Sequence, residues 1–328
     1  MDKPLRHNSP DDDVTNFVVL REPEKLSHNR PDYLLWHGDV ETLLNQIPEE
    51  PLFDLVVTSP PYNIGKSYEK TLELDEYRSW QERVIEKLVK RLKPTGSLCW
   101  QVGSYTNPRK NNDRAQIYPL DFLFHPIFEK FNLILRNRII WHYGHGHHAK
   151  HRFSGRYEVV LWYTLSSTYT FNLDDVRVDS KYPSKTYYRG PKKGQYSSNP
   201  KGKNPEDVWT NIPNVKSYHV EKTSHPCQFP VGLIERLVLA LTNENDLVFD
   251  PFAGVASAGV AAAVHNRRFW GCDTVSTYIE IGQKRISEAL NGTAIYRPHN
   301  KPLFDHKKSH LSKRPPEIIL DECSNPQS

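Results

Sequence analysis

Phe53-Asp54-Leu55-Val56-Val57, followed by Thr58-Ser59-Pro60-Pro61-Tyr62-Asn63, is the stretch from which the 328-residue chain is best read. The apolar run is short, rich in β-branched residues and too brief for a helix, so it predicts a buried strand. Two prolines then end it, because neither can donate to a ladder and each fixes its own φ. A rigid turn follows at the carboxyl end of the strand, where a hydroxyl, a backbone carbonyl and an aromatic ring are held in place. In an open α/β sheet that end of the strands is where ligands bind.

Working outward, a second strand and turn lie far down the chain. Asp246-Leu247-Val248-Phe249-Asp250 reads as a strand, and Pro251-Phe252-Ala253-Gly254 as the turn after it. Small residues from Val255 to His265 predict a helix lying close to the sheet. The run Phe269-Trp270-Gly271-Cys272-Asp273 predicts a further strand ending in an acid. Asp273 falls about twenty residues beyond the glycine turn, the offset at which dinucleotide folds place a ribose-binding carboxylate. A helix over Ser276 to Leu290 completes a β-α-β-α unit. Near the amino terminus, Tyr33 to Trp36 predicts a small strand leading through His37-Gly38 to Asp39, a residue type suited to capping the helix that follows.

Between these blocks, Asp75 to Leu92 and Pro119 to Phe131 show helical periodicity. Ser97 to Val102 reads as a strand, and Leu133 to Trp141 with Tyr157 to Tyr163 as a strand pair. Gly103 to Gln116 reads as a loop. The histidine-rich stretch from His142 to His151 matches no standard zinc spacing and has no cysteine or carboxylate close by, so no metal site is expected. Residues 164–222 change character, with Lys181, Tyr182, Lys185, Tyr187, Tyr188, Arg189, Lys192, Lys193 and Tyr196 mixing cations with aromatics. Cations neutralise phosphates and tyrosines stack on bases, so Lys181, Lys185, Tyr187, Arg189, Lys192 and Lys193 are candidate DNA contacts.

Composition sets bounds. A net charge of +4 permits an anionic partner without requiring one. The four cysteines are scattered and form no C-x-x-C pair, which argues against a disulfide framework. No apolar run is long enough for a membrane span and no signal-peptide core is visible, so a cytoplasmic protein is expected.

The chemistry that suits the Ser-Pro-Pro-Tyr turn is transfer to an exocyclic amine. Such a nitrogen has a delocalised lone pair and is a poor nucleophile. Ser59 Oγ and the Pro60 carbonyl could accept its N–H bonds and orient it, with Pro61 stiffening the turn and Tyr62 offering a flat face to the base. With this turn first, the basic segment in the middle and the Asp250–Gly254 block last, the chain resembles the β group of amino DNA methyltransferases over roughly Leu34 to Leu290.

That resemblance implies a circularly permuted, Rossmann-like α/β fold: a mixed, mostly parallel sheet with helices on both faces and an inserted target-recognition region. The expected organisation is an arm over 1–32, a catalytic half over 33–163, target recognition over 164–222, a cofactor-binding half over 223–292 and a tail over 293–328. The implied cofactor is S-adenosylmethionine. Asp39 would meet its adenine, Asp273 its ribose, Asp250 its amino group, and Thr223, Ser224 and His225 its carboxylate. Phe252 would give an apolar contact, with Pro251, Ala253 and Gly254 forming the turn. The chain departs from the commoner family form after Gly254, where Val255-Ala256-Ser257-Ala258 replaces a Gly-Ser/Thr-rich run. Double-stranded DNA is the implied partner, along with a cognate restriction endonuclease, and the chain would act as a monomer or homodimer. Ser59 points to cytosine N4 as the target, with adenine N6 as the alternative. A protein that keeps the fold but has lost catalysis, or one that methylates RNA or protein, is the competing class.

Overall fold

The computed structural model describes residues 17–20, 30–63, 72–107, 116–144, 146 and 148–313. In chain order the strands are β1 (Phe17–Leu20), β2 (Tyr33–His37), β3 (Phe53–Thr58), β4 (Leu92–Val102), β5 (Ser104–Asn107), β6 (Gln116–Pro119), β7 (Ile134–His142), β8 (Tyr157–Thr164), β9 (Val208–Trp209), β10 (Leu247–Asp250) and β11 (Arg268–Asp273). The helices are α1 (Val40–Gln46), α2 (Leu74–Val89), α3 (Leu120–Lys130), α4 (Leu173–Val176), α5 (Val231–Leu241), α6 (Ser257–Val264) and α7 (Ser276–Leu290).

Nine strands form one sheet in the order β1-β2-β11-β10-β3-β4-β8-β7-β9, parallel from β1 through β4 and antiparallel where β8 joins β4 and β7. Helices cover both faces. Side chains of α5, α6 and α7 pack with Leu55 and Val57 on one side, and those of α1, α2 and α3 pack with Phe53 and Val56 on the other. Covered on both faces, β3 must be apolar almost throughout, which is why its sequence reads as a continuous run.

The topology decides where the site lies. β3 and β10 are distant in sequence but are parallel neighbours, with Val248 opposite Leu55 and Phe249 opposite Val56. Parallel pairing puts both carboxyl ends on the same edge of the sheet. The turn after Thr58 and the turn after Asp250 must therefore emerge side by side, where strand order departs from chain order.

Several boundaries differ from expectation. Phe17–Leu20, expected to be part of a surface arm, is an edge strand parallel to β2; the rest of that arm before Arg30 lies outside the described residues. Helix α2 ends at Val89, and β4 begins at Leu92 and runs through Lys93-Pro94-Thr95-Gly96 instead of starting at Ser97. The register of β3 against β4 shifts between Phe53 and Leu55, so the Pro-Gly segment is accommodated as an irregularity within the strand. A Cβ on Gly96 would lie 2.9 Å from the Asp54 carbonyl, so that close approach needs glycine. The ends of the expected loop Gly103 to Gln116 pair as the antiparallel ribbon β5–β6, with 108–115 outside the described residues. The small-residue helix begins at Ser257, later than Val255. Within 164–222, β9 joins the main sheet beside β7, and Val176, Trp209 and Ile212 are buried in the core. The start of the expected tail is packed: Glu235 of α5 accepts from Tyr296 Oη at 3.1 Å and from the His299 amide at 2.6 Å. His145, His147 and 314–328 lie outside the described residues.

Candidate active site

One cavity of about 1300 Å³ opens at the carboxyl ends of β3 and β10. Ser59, Pro60, Pro61 and Tyr62 line it from one side, and Pro251, Phe252, Ala253 and Gly254 from the other. Asp39, His225 and Asp273 also line it. The volume exceeds the range usual for a single small-molecule pocket, so it can hold two ligands at once.

The Ser-Pro-Pro-Tyr turn is fixed from several directions. Tyr77 of α2 donates to the Pro61 carbonyl at 2.7 Å. Asn63 takes a positive φ of 59° and exchanges two hydrogen bonds with the Leu72 backbone, at 2.7 and 2.8 Å. Ser59 Oγ donates to Tyr62 Oη at 3.1 Å, and Tyr62 Oη donates to Glu158 Oε2, also at 3.1 Å. Gln101 Nε2 donates to the same Glu158 oxygen. Among the described residues no donor reaches the Pro60 carbonyl, and Pro60 lines the cavity. Burial pushes the Tyr62 hydroxyl well above the ordinary phenol range, and the neighbouring Glu158 raises it further. Burial also raises the Glu158 carboxyl, against the pull of the hydrogen bonds from Tyr62 and Gln101.

The turn after β10 brings backbone close to the cavity. Gly254 has φ +51°, and a Cβ there would meet His225 Nε2 at 3.2 Å. The Gly254 amide donates to Asp273 Oδ2 at 3.0 Å, and Asp273 Oδ1 accepts from Val275 at 2.9 Å. Ala256 also adopts a left-handed backbone, at φ 56°. Phe252 meets Trp80 edge-on at 5.6 Å and Trp100 at 6.2 Å, giving the cavity an aromatic wall. The fit to a nucleoside-bearing ligand is good: a glycine turn without obstructing side chains, an apolar ring, and carboxylates at the ends of two adjacent strands. Gly254→Ala is expected to destabilise the protein by about 1–2 kcal/mol, the cost of a left-handed alanine, read as a lowered midpoint in urea unfolding; an unchanged midpoint would mean the turn relaxes freely.

Asp39 caps α1, its Oδ1 accepting from Glu41 and Thr42 at 2.9 and 3.1 Å, and still faces the cavity. His225 Nδ1 accepts from the Cys227 amide at 3.2 Å, which assigns the ring proton to Nε2 on the Gly254 side. Burial, then Lys222 and Arg285, push the His225 pKa down to about 4, so the ring is neutral near pH 7.

Three expected cofactor contacts are placed differently. Thr223 and Ser224 do not line the cavity; the Thr223 hydroxyl turns instead to Gln228 Oε1 at 2.8 Å. Asp250 is fully buried beneath the turn, where its Oδ1 accepts from Thr58 Oγ1 at 2.6 Å and from the Phe252 amide at 3.1 Å. It ties the two turns together from behind the cavity wall.

Lys181, Lys185, Tyr187, Arg189, Lys192 and Lys193 are all exposed, and none lines the cavity. Arg152, Arg156, Lys216 and Lys222 border it instead, together with Phe153, which is 100% exposed. These residues and Glu158 were not singled out from the sequence. The available signals were a carboxylate opening an otherwise apolar strand at Tyr157-Glu158-Val159-Val160, and an Arg-Phe pair beside it.

Comparison with known proteins follows the same lines. The family model described as DNA methylase, covering N6 and N4 methyltransferases, matches residues 53–284. The Type II methyltransferase M.BglII of Bacillus subtilis is 45% identical over 253 residues, which are 77% of this chain and 68% of that protein. The DNA adenine methyltransferase YhdJ of Escherichia coli (strain K12) is 30% identical over 291 residues, 86% of this chain and 93% of the relative. Among solved structures, TTHA0409 of Thermus thermophilus, a putative DNA modification methylase in complex with S-adenosyl-L-methionine, superposes with a TM-score of 0.57 at 26% identity, over 79% of this chain and 94% of that one. With the Ser-Pro-Pro-Tyr turn after β3 and the glycine turn after β10 sharing one cavity, the chain belongs to the N6/N4 family of DNA methylases, whose cofactor is S-adenosylmethionine.

Proposed function

We propose that the protein methylates the exocyclic N4 of a cytosine that has been flipped out of duplex DNA. The observation that carries this is the shared cavity. Ser59 and Pro60, whose hydroxyl and carbonyl can accept amine N–H bonds, line the same cavity as the Pro251–Gly254 turn. An amine inside a base-paired stack cannot reach them, so the base must leave the duplex.

S-adenosylmethionine, when bound, supplies an electrophilic methyl group. Phe252 and the Gly254 turn would hold it, with Asp39 and Asp273 at the nucleoside end and the neutral His225 offering its Nε2 proton. On the base side, Tyr62 presents its ring, and Ser59 and Pro60 fix the amine so that its lone pair points across the cavity. Most of the acceleration then comes from orientation. Arg152, Arg156, Lys216 and Lys222 would meet phosphates at the cavity mouth, and the segment carrying Lys181, Lys185, Tyr187, Arg189, Lys192 and Lys193 would reach the flanking duplex.

The choice of cytosine rests on Ser59, the residue more often paired with N4 chemistry in the resemblance. Adenine N6 is the second reading, supported by the adenine-specific name of the 30% identical relative. Mass spectrometry of nucleosides from DNA methylated by the purified protein is expected to show N4-methylcytosine. A product containing only N6-methyladenine would reject the cytosine choice and leave the amine chemistry standing. No helix among the described residues is long and apolar enough to cross a membrane, and a cytoplasmic site of action is part of the proposal. Sequencing an expression host's genome for modified bases would give the recognition site.

A further inference from the structure

The geometry points to Glu158 as the end of a proton relay running from the target amine through Ser59 Oγ and Tyr62 Oη, and as the group that sets its direction. This rests on the functional reading above and deepens it. Glu158 is the second residue of β8, the strand between β4 and β7, and lines the cavity. Its Oε2 accepts from both Tyr62 Oη and Gln101 Nε2. An ionised carboxylate can only accept, so the Tyr62 proton must point toward Glu158. The Tyr62 oxygen is then left to accept, and it does so from Ser59 Oγ. With its only proton committed to Tyr62, Ser59 has lone pairs to offer the cavity. A hydroxyl free to rotate could equally present its proton to the amine, which would oppose the chemistry.

The approach of these groups is built into the backbone. A Cβ on Gly103 would lie 3.2 Å from Tyr62 Cε2 and 3.5 Å from Glu158 Cγ, so the pair packs against a position kept free of side chain. Burial raises the Glu158 carboxyl, which suits it to take a proton.

The relay balances. As the methyl group arrives, the amine nitrogen comes to carry one proton too many and loses it in the same step. That N–H bond breaks, its electron pair stays on nitrogen, and the proton passes to Ser59 Oγ. The original Ser59 proton moves to Tyr62 Oη, and the original Tyr62 proton moves to Glu158 Oε2. Serine and tyrosine end as they began, the base leaves neutral, and the carboxylate becomes a carboxylic acid until water takes the proton after product release.

Glu158 is thus a positioning residue whose effect reaches the amine through two hydroxyls. Glu158→Gln keeps the shape but removes the charge, and Tyr62→Phe keeps the stacking ring but cuts the chain. In single-turnover assays with duplex DNA, each is expected to slow methyl transfer roughly 10²-fold. Dissociation constants for S-adenosylmethionine and for DNA should stay within about twofold of wild type. The double variant should be no slower than the slower single variant, since both interrupt one path. Wild-type rates in Glu158→Gln, or losses that multiply in the double variant, would overturn the relay. A wild-type protein that binds S-adenosylmethionine yet methylates no DNA would instead sink the functional reading, and the relay with it.

Discussion

Replacing Ser59 by alanine is expected to lower the single-turnover rate of DNA methylation roughly 10²–10³-fold, the range seen when one preorganised polar group is lost from a reacting centre. The dissociation constant for S-adenosylmethionine should hardly change. The asymmetry follows from where Ser59 points. Its proton goes to Tyr62, and in the proposed reading its remaining lone pairs accept from the amine. Alanine leaves the Pro60 carbonyl as the sole acceptor of the pair, so the amine can rotate about that one contact and its lone pair loses its aim. The turn itself should survive, because Tyr77 still anchors the Pro61 carbonyl and Asn63 still locks onto Leu72. Calorimetric titration of the cofactor beside rapid-quench methylation separates the two quantities. Equal losses in rate and cofactor affinity would mean that Ser59 holds the cavity together instead of orienting the amine.

How much of this could be read in advance depends on the strand. β3 and β10 are buried on both faces, and continuous apolar runs closed by Pro-Pro and by Pro-Phe-Ala-Gly leave few alternatives. Their adjacency follows once both are taken as parallel strands of one sheet with functional turns at the same end. The start of β4 was hidden because Lys93-Pro94-Thr95-Gly96 carries every local mark of a helix stop, and only pairing with β3 makes it strand. β1 has four residues set among polar neighbours, and only its partner β2 marks it as strand. Residues 294–301 look like solvated tail, yet Glu235 inside an apolar helix needs partners, and the backbone and hydroxyl groups of that segment supply them. Glu158 was missed for a different reason. A charged residue next to a strand end usually faces water, and only the folded register turns it toward Tyr62. Thr223 shows the converse: a hydroxyl near a cofactor block need not face it when a side chain such as Gln228 is nearer.

Asp250 gives the second large effect, in stability and with a definite sign. Its pKa is pushed up to about 7, chiefly by burial; the Thr58 hydroxyl and the Phe252 amide pull it back down, and Asp273 adds repulsion. Its Oδ2 is buried with no hydrogen-bond partner among the described residues. An unfolded aspartate titrates near 4. Between roughly pH 4 and 7 the folded protein therefore holds a proton that the unfolded chain has released, and its stability falls as pH rises through that window. The gap between the folded and unfolded values corresponds to something on the order of 4 kcal/mol. Asp250→Asn tests this cleanly. Both observed bonds, from Thr58 and from Phe252, end on Oδ1, which asparagine retains, while the group replacing Oδ2 cannot ionise. In urea unfolding of the ligand-free protein, the asparagine variant should gain on wild type by a few kcal/mol between pH 5 and 8. Comparing the variant with wild type at each pH cancels the contribution of Glu158, whose carboxyl is raised too, while Asp273, which repels Asp250, is counted as part of the Asp250 effect. Parallel curves for the two proteins would mean that Asp250 folds without an ionisation penalty and that the latch between the two turns carries no stored cost.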